Sequence, residues 1–195
     1  HTPHWCASCL RLPLDGIDGC HAAVSYGWPW QACVDGFKFG AQTGWATALA
    51  GVMLRDPLVR QAIRTCDALV PMPLHPLRLA ERGYNQSLLL AQALRRCTDR
   101  EEKLDRHQAV VRHDWLLRIR NTQAQSRLSL AQRLRNVRQA FAVAANQSSQ
   151  LHGKRVVLVD DVMTSGASAQ AAAQTLRTAG VHQLRVVVFA RTEKP

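Results

Sequence analysis

The run Val156-Val157-Leu158-Val159-Asp160-Asp161-Val162-Met163-Thr164-Ser165-Gly166-Ala167-Ser168 constrains the fold more than any other stretch of this chain. Four consecutive β-formers between Lys154-Arg155 and two aspartates read as a strand buried on both faces of a parallel sheet. The two carboxylates then stand at the strand's carboxyl end, where open α/β sheets bind ligands. Small residues from Thr164 to Ser168 turn the chain into a helix expected from about Ala167 through Ala179. The backbone N–H groups of that turn and the helix N-terminus form an anion cradle, with the hydroxyls of Thr164, Ser165 and Ser168 as further donors. Carboxylates beside a phosphate cradle suit a sugar phosphate, its hydroxyls on Asp160 and Asp161 and its phosphate in the loop. The plainer alternative is a buried strand followed by an ordinary polar turn.

The rest of the chain alternates short strands with helices, the pattern of an α/β domain. Strands are expected at Ala22 to Tyr26, Ala68 to Val70, Val110 to Arg118, Phe141 to Val143 and Arg185 to Phe189. Trp115 and Leu117 should share one face of an edge strand. Helical spacing predicts helices over Gln31 to Phe39, Gly44 to Leu54, Pro57 to about Cys66, Gln86 to Arg96 and around Leu130 to Val137, with Asn85 as an N-cap. Asn146 to Gln150 reads as a turn, and Trp28, Trp30 and Trp45 as core packing with base stacking as the alternative. The strand–helix–strand from Val156 to Phe189 has the form of a right-handed parallel crossover.

A length of 195 residues and a hydrophobic fraction of 47% suit one packed domain with a small appendage. No segment is long and apolar enough for membrane insertion, and no charged-then-apolar leader opens the chain, so a cytoplasmic location is expected. The chain begins at His1, which suggests a trimmed start. The formal charge is +11, and apart from Lys38, Lys103, Lys154 and Lys194 every basic side chain is an arginine. Arginine forks match phosphate oxygens bidentately, so the bias favours nucleic acid or pyrophosphate as partner without choosing between them.

A second constellation runs Val70-Pro71-Met72-Pro73-Leu74-His75-Pro76-Leu77-Arg78-Leu79-Ala80-Glu81-Arg82-Gly83-Tyr84-Asn85-Gln86-Ser87. Arg78 and Arg82 follow one helical turn apart and can present two guanidinium groups to one polyphosphate. A basic element there would stabilise the charge that develops on a departing pyrophosphate. Exposed arginines on a solvated helix are the bland alternative.

The segment around Asp160 and Asp161 resembles the phosphoribosyl pyrophosphate (PRPP) signature of type I phosphoribosyltransferases. The Pro-x-Pro-Leu-His-Pro…Glu-Arg-Gly-Tyr-Asn-Gln-Ser run is similar to the ComF family of competence-associated proteins. Two further stretches agree: Phe37-Lys38-Phe39-Gly40, and Arg118-Ile119-Arg120-Asn121-Thr122-Gln123-Ala124-Gln125 with Arg133-Leu134-Arg135-Asn136-Val137 and Ala140-Phe141. The resemblance implies a type I phosphoribosyltransferase-like α/β fold, with a mostly parallel central sheet flanked by helices, over residues 22–195. It also implies a partial zinc-knuckle segment over 1–21.

That family begins with a module of two Cys-x-x-Cys pairs, and here Cys6 and Cys9 supply one. A structural Zn²⁺ takes four ligands, so the site is incomplete unless Cys20, His4 or His21 contributes, and the missing pair is expected upstream of His1. The resemblance places PRPP on residues from Asp160 through Val162, Met163, Thr164, Ser165, Gly166 and Ala167 to Ser168. Asp160 and Asp161 take the catalytic role, Arg78 and Arg82 the pyrophosphate, and Mg²⁺ bridges ribose and pyrophosphate oxygens. Arg118, Arg120, Arg127, Arg133, Arg135 and Arg138 then form either a lid over PRPP or a sequence-independent contact surface for single-stranded DNA.

Three functions of different class follow. The first is a PRPP-binding protein associated with DNA uptake, beside a helicase-like competence ATPase. The second is an active transferase moving ribose 5-phosphate onto a nitrogen nucleophile, with pyrophosphate release. The third is a regulatory nucleotide-sensing binder.

Overall fold

The computed structural model describes residues 15–101, 109–121 and 139–192. Cys6 and Cys9, the one knuckle of the incomplete zinc site, lie outside those residues, as do Arg127, Arg133, Arg135, Arg138 and the helix expected around 130–137.

Five parallel strands form the central sheet. In spatial order they are β1 (Gly19–Ser25), β7 (Gln183–Arg191), β6 (Arg155–Met163), β2 (Ala68–Pro71) and β3 (Val110–Val111). A separate antiparallel pair joins β4 (Leu116–Arg118) to β5 (Phe141–Val143). The helices are α1 (Trp30–Phe39), α2 (Trp45–Met53), α3 (Pro57–Thr65), α4 (Pro76–Arg82), α5 (Gln86–Glu101), α6 (Ser148–Leu151) and α7 (Ala167–Thr178).

The period of two along the strands sorts their side chains into two cores. Val156 and Leu158 of β6, with Leu184, Val186 and Val188 of β7, pack on one face with Ala172, Ala173 and Leu176 of α7 and with Leu116 and Phe141 of the β4–β5 pair. Val157, Val159, Val187 and Phe189 pack on the other, against Val34 and Phe37 of α1, Leu49 and Met53 of α2, Ile63 of α3 and Leu90 and Leu94 of α5. Because β6 is covered on both faces it reads as an uninterrupted apolar run, as expected for a buried parallel strand.

Local signals set the helix ends near the site. Asn85 Oδ1 accepts from Ser87 N at 2.9 Å and Leu88 N at 3.2 Å, which caps α5. Pro76 opens α4, where its missing N–H costs nothing, and Gly83 closes it at φ 80°.

Four expectations need correction. The aspartates do not follow a strand that stops at Val159: β6 runs on to Met163, because β7 is long enough to pair Asp160 with Val188 and Met163 with Arg191. Residues 110–118 are not one strand. The Arg112 guanidinium folds back on Asp114 at 3.1 Å, the chain turns, and β3 and β4 join different sheets; Leu116 is buried whereas Leu117 is 43% exposed, so Trp115 and Leu117 share no face. The stretch read as a turn near Gln150 holds α6, closed onto the core by Leu151. Of the three tryptophans expected in the core, Trp30 packs edge-on against Phe189, but Trp28 is 92% and Trp45 38% exposed. Trp28 stands in the turn before α1, and no element among the described residues buries its ring.

Candidate functional site

Parallel strands β1, β2, β6 and β7 all present their carboxyl ends on one side of the molecule, and the candidate residues gather there. Gly166 adopts φ 77°, a left-handed conformation that L side chains rarely take, so the chain reverses from β6 into α7 within three residues, Thr164 to Gly166. Asp160, Val162, Met163, Thr164, Gly166, Ala167 and Ser168 then line a single pocket of about 50 Å³. That is room for a few waters or one phosphate-sized group. The Ser165 hydroxyl turns inward as an acceptor for the Ala167 N–H, at 3.4 Å.

The two carboxylates have separate partners. Asp160 Oδ1 accepts from the Ser87 hydroxyl and from the Asp161 N–H, both at 2.9 Å. Asp161 Oδ1 accepts from the Val162 N–H at 2.7 Å and lies 3.2 Å from the Lys38 ammonium. Asp161 is only 6% exposed, so it is packed beneath Lys38 rather than open to ligand as the position of the two carboxylates suggested. Burial, with the Asp161 charge beside it, pushes the Asp160 carboxyl up to about 7; Lys38 and the Ser87 hydrogen bond oppose the rise.

Lys38 sits in the last turn of α1, and the signature residues after α4 hold that turn. The Tyr84 hydroxyl donates to the Phe37 carbonyl at 2.5 Å, and Gln86 Nε2 donates to the Lys38 carbonyl at 3.4 Å. Arg82 in turn donates to Gln86 Oε1 at 2.9 Å and lays its guanidinium 5.1 Å from the centre of the Phe39 ring. Lys38, Phe39, Arg78, Glu81, Arg82 and Tyr84 line a cleft of about 420 Å³, separate from the small pocket of the β6–α7 turn.

Arg118, expected in a lid or a nucleic-acid surface, is half-buried in β4 with its guanidinium 5.6 Å from the Phe141 ring centre. Burial lowers its pKa, the Arg78 charge lowers it further, and Asp160 opposes; the three groups therefore share one electrostatic neighbourhood. Arg120 is exposed and donates to Gln139 Oε1 at 3.1 Å. Lys38 and Ser87 both lie in runs singled out in the sequence, yet neither carried a role there. The available signal for Lys38 was its rarity in an arginine-rich chain, between Phe37 and Phe39.

No group of three or more His, Cys, Asp or Glu side chains converges to hold a metal among the described residues. Two carboxylates alone fit a cation that takes its other ligands from a phosphorylated molecule and water, as Mg²⁺ does.

A parallel sheet whose β6 strand carries paired carboxylates into a tight glycine turn and a helix defines a type I phosphoribosyltransferase-like fold. The family model described as the phosphoribosyl transferase domain matches residues 102–195. The chain belongs to the competence protein F family. It is 31% identical over 166 residues to competence protein F of Haemophilus influenzae, which covers 84% of this chain and 68% of that protein. Identity to the DNA utilization protein YhgH of Salmonella typhimurium is 28%, over 97% of this chain and 92% of that one. Competence protein ComFC of Bacillus subtilis is 34% identical over 57% of this chain and 39% of its own. No helix among the described residues is long and apolar enough to cross a membrane.

Proposed function

We propose that this protein binds PRPP, or a related phosphoribosyl ligand, together with Mg²⁺, and serves the handling of incoming DNA. The observation that carries the reading is the meeting of three chemistries at one end of the sheet. These are the carboxylates of Asp160 and Asp161, the anion-sized pocket of Thr164 to Ser168, and a cleft holding Lys38, Arg78 and Arg82. The ribose hydroxyls would hydrogen-bond to the carboxylates and the 5′-phosphate would take the N–H groups at the start of α7. The pyrophosphate would reach the arginines, each such charge-assisted contact being about twice as strong as a neutral one.

Asp160 and Asp161 would hold Mg²⁺, which would supply positive charge against the pyrophosphate. Burial and the neighbouring Asp161 charge raise the Asp160 pKa, and a cation held there would favour its charged form. Arg118, half-buried in β4 and within electrostatic reach of Arg78 and Asp160, favours the lid assignment over a DNA contact for that residue. The names of the relatives, competence protein F and DNA utilization protein, support the DNA connection. Transfer of the ribosyl phosphate to a nitrogen nucleophile is the second reading; it rests on the same geometry and adds an acceptor.

Calorimetric titration of PRPP with and without Mg²⁺ tests the binding. The wild type should bind only with the metal. Asp160→Ala with Asp161→Ala should abolish binding while circular dichroism stays unchanged. Unaltered affinity in the folded double variant would sink the assignment. Pyrophosphate release across a panel of free bases then separates binding from transfer.

A further inference from the structure

Lys38 belongs to both halves of the site. Its ammonium lies 3.2 Å from Asp161 Oδ1, and its side chain, 21% exposed, also lines the cleft of Arg78 and Arg82. The backbone beneath it is fixed, because Tyr84 and Gln86 hold the carbonyls of Phe37 and Lys38, and Gln86 is itself held by Arg82. What remains free to move is a compact charge on a flexible four-carbon stem. That charge has one carboxylate on one side and, on the other, a cleft in which Arg78 and Arg82 outnumber the one carboxylate, Glu81. A polyanion entering the cleft competes with a single carboxylate for the ammonium, and more charge at similar distance attracts it more strongly.

We propose that Lys38 is the positioning residue that couples the two halves: an anion bound in the cleft draws the Lys38 ammonium off Asp161 and so frees that carboxylate for a cation or a ribose hydroxyl. Without the anion, Asp161 is closed by its own lysine and the site does not capture metal prematurely. With it, the carboxylate opens when the ligand that needs it has arrived. This inference rests on the reading of the arginine cleft as the pyrophosphate subsite.

A double-mutant cycle read by calorimetry with inorganic pyrophosphate, in metal-free buffer, tests it. In the wild type, pyrophosphate must break the Lys38–Asp161 pair; in Asp161→Asn, Lys38 is already released. Affinity should therefore rise in Asp161→Asn by about fivefold or more, the low end of couplings between linked sites. In a Lys38→Met background the same change at Asp161 should leave affinity where it was. Lys38→Arg, which keeps the charge, should restore the gain. Simple repulsion between Asp161 and pyrophosphate predicts an equal gain with and without Lys38, and that result overturns the coupling, as does no gain in either background. Wild-type protein that does not bind pyrophosphate at all overturns the cleft assignment as well. Pyrophosphate binding with no cycle removes the coupling alone. Circular dichroism of each variant confirms that the comparison is between folded proteins.

Discussion

The turn between β6 and α7 and the cleft lined by α1 and α4, to which the proposed function assigns opposite ends of one ligand, are built in opposite ways. The pocket at the turn, about 50 Å³, is lined mostly by one run of the chain, Asp160 to Ala169, with Val188 contributed by β7. The cleft is about 420 Å³ and is assembled from the end of α1 and from Arg78, Glu81 and Arg82 of α4, with Lys38 and Arg82 far apart in sequence. A contiguous loop offers backbone donors at fixed spacing and accepts one small anion. An assembled cleft offers long cationic side chains that adapt to a larger, more charged group. The difference predicts that specificity for the ribosyl phosphate resides in the turn, whereas the response to pyrophosphate resides in the cleft.

The comparison breaks if the two halves do not titrate separately. Arg78→Ala with Arg82→Ala should weaken pyrophosphate binding by about a hundredfold, from two lost charge-assisted contacts, and leave affinity for ribose 5-phosphate within about twofold, since neither arginine lines the turn pocket. Calorimetry with each ligand alone measures both. Equal losses for the two ligands would merge the halves into one site.

Proton linkage sharpens it next. The Asp160 carboxyl stands at about 7 in the fold against an ordinary 3.8. Below about 7 it holds a proton that Mg²⁺ and the ribose must displace. Affinity for PRPP with Mg²⁺ should thus fall as pH drops from 8 to 6, by up to about tenfold per unit below the midpoint. Pyrophosphate binding in the metal-free cleft should change far less. The same shift sets a stability trend: the folded state binds more protons than the unfolded one between these two values. Stability contributed by neutral Asp160 is full below the ordinary value and is lost as pH rises through about 7. Asp160→Asn should flatten a plot of melting temperature against pH over that window.

Gly166→Val addresses the turn alone. Forcing a β-branched residue to φ 77° costs about 1–2 kcal/mol, visible as a lower melting temperature. It should also weaken ribose 5-phosphate and spare pyrophosphate. Smaller still, Asn85→Ala removes the cap of α5 and costs about 1 kcal/mol. Because Ser87 beside it donates to Asp160, the loss should appear in PRPP affinity as well as in thermal melts. A change in stability with no change in affinity would show that Ser87 is held by the strand rather than by the cap.

Much of this was legible before the structure. The apolar run of β6, the small residues after it and the helix they open are local signals, and so are Pro76 and Gly83 at the ends of α4 and Asn85 at the start of α5. Where local pattern misled, a neighbour decided otherwise. β6 extended past the aspartates because β7 offered it partners, and residues 110–118 split between two sheets because Arg112 and Asp114 turn the chain. Trp28 and Trp30 lie two residues apart with the same side chain; one reaches Phe189 and the other reaches solvent, a difference no composition encodes.

By itself the sequence determined the class of fold and the residues of the β6–α7 turn, because strand burial, a left-handed glycine and helix capping depend on neighbours within a few positions. Only the tertiary structure decided that Lys38 would close over Asp161, that Ser87 would hold Asp160, and that Arg118 would come within electrostatic reach of Arg78. Those pairings join residues from separate elements. Their strength depends on distance and burial, which exist only once α1, α5 and β4 have packed around the carboxyl ends of the sheet.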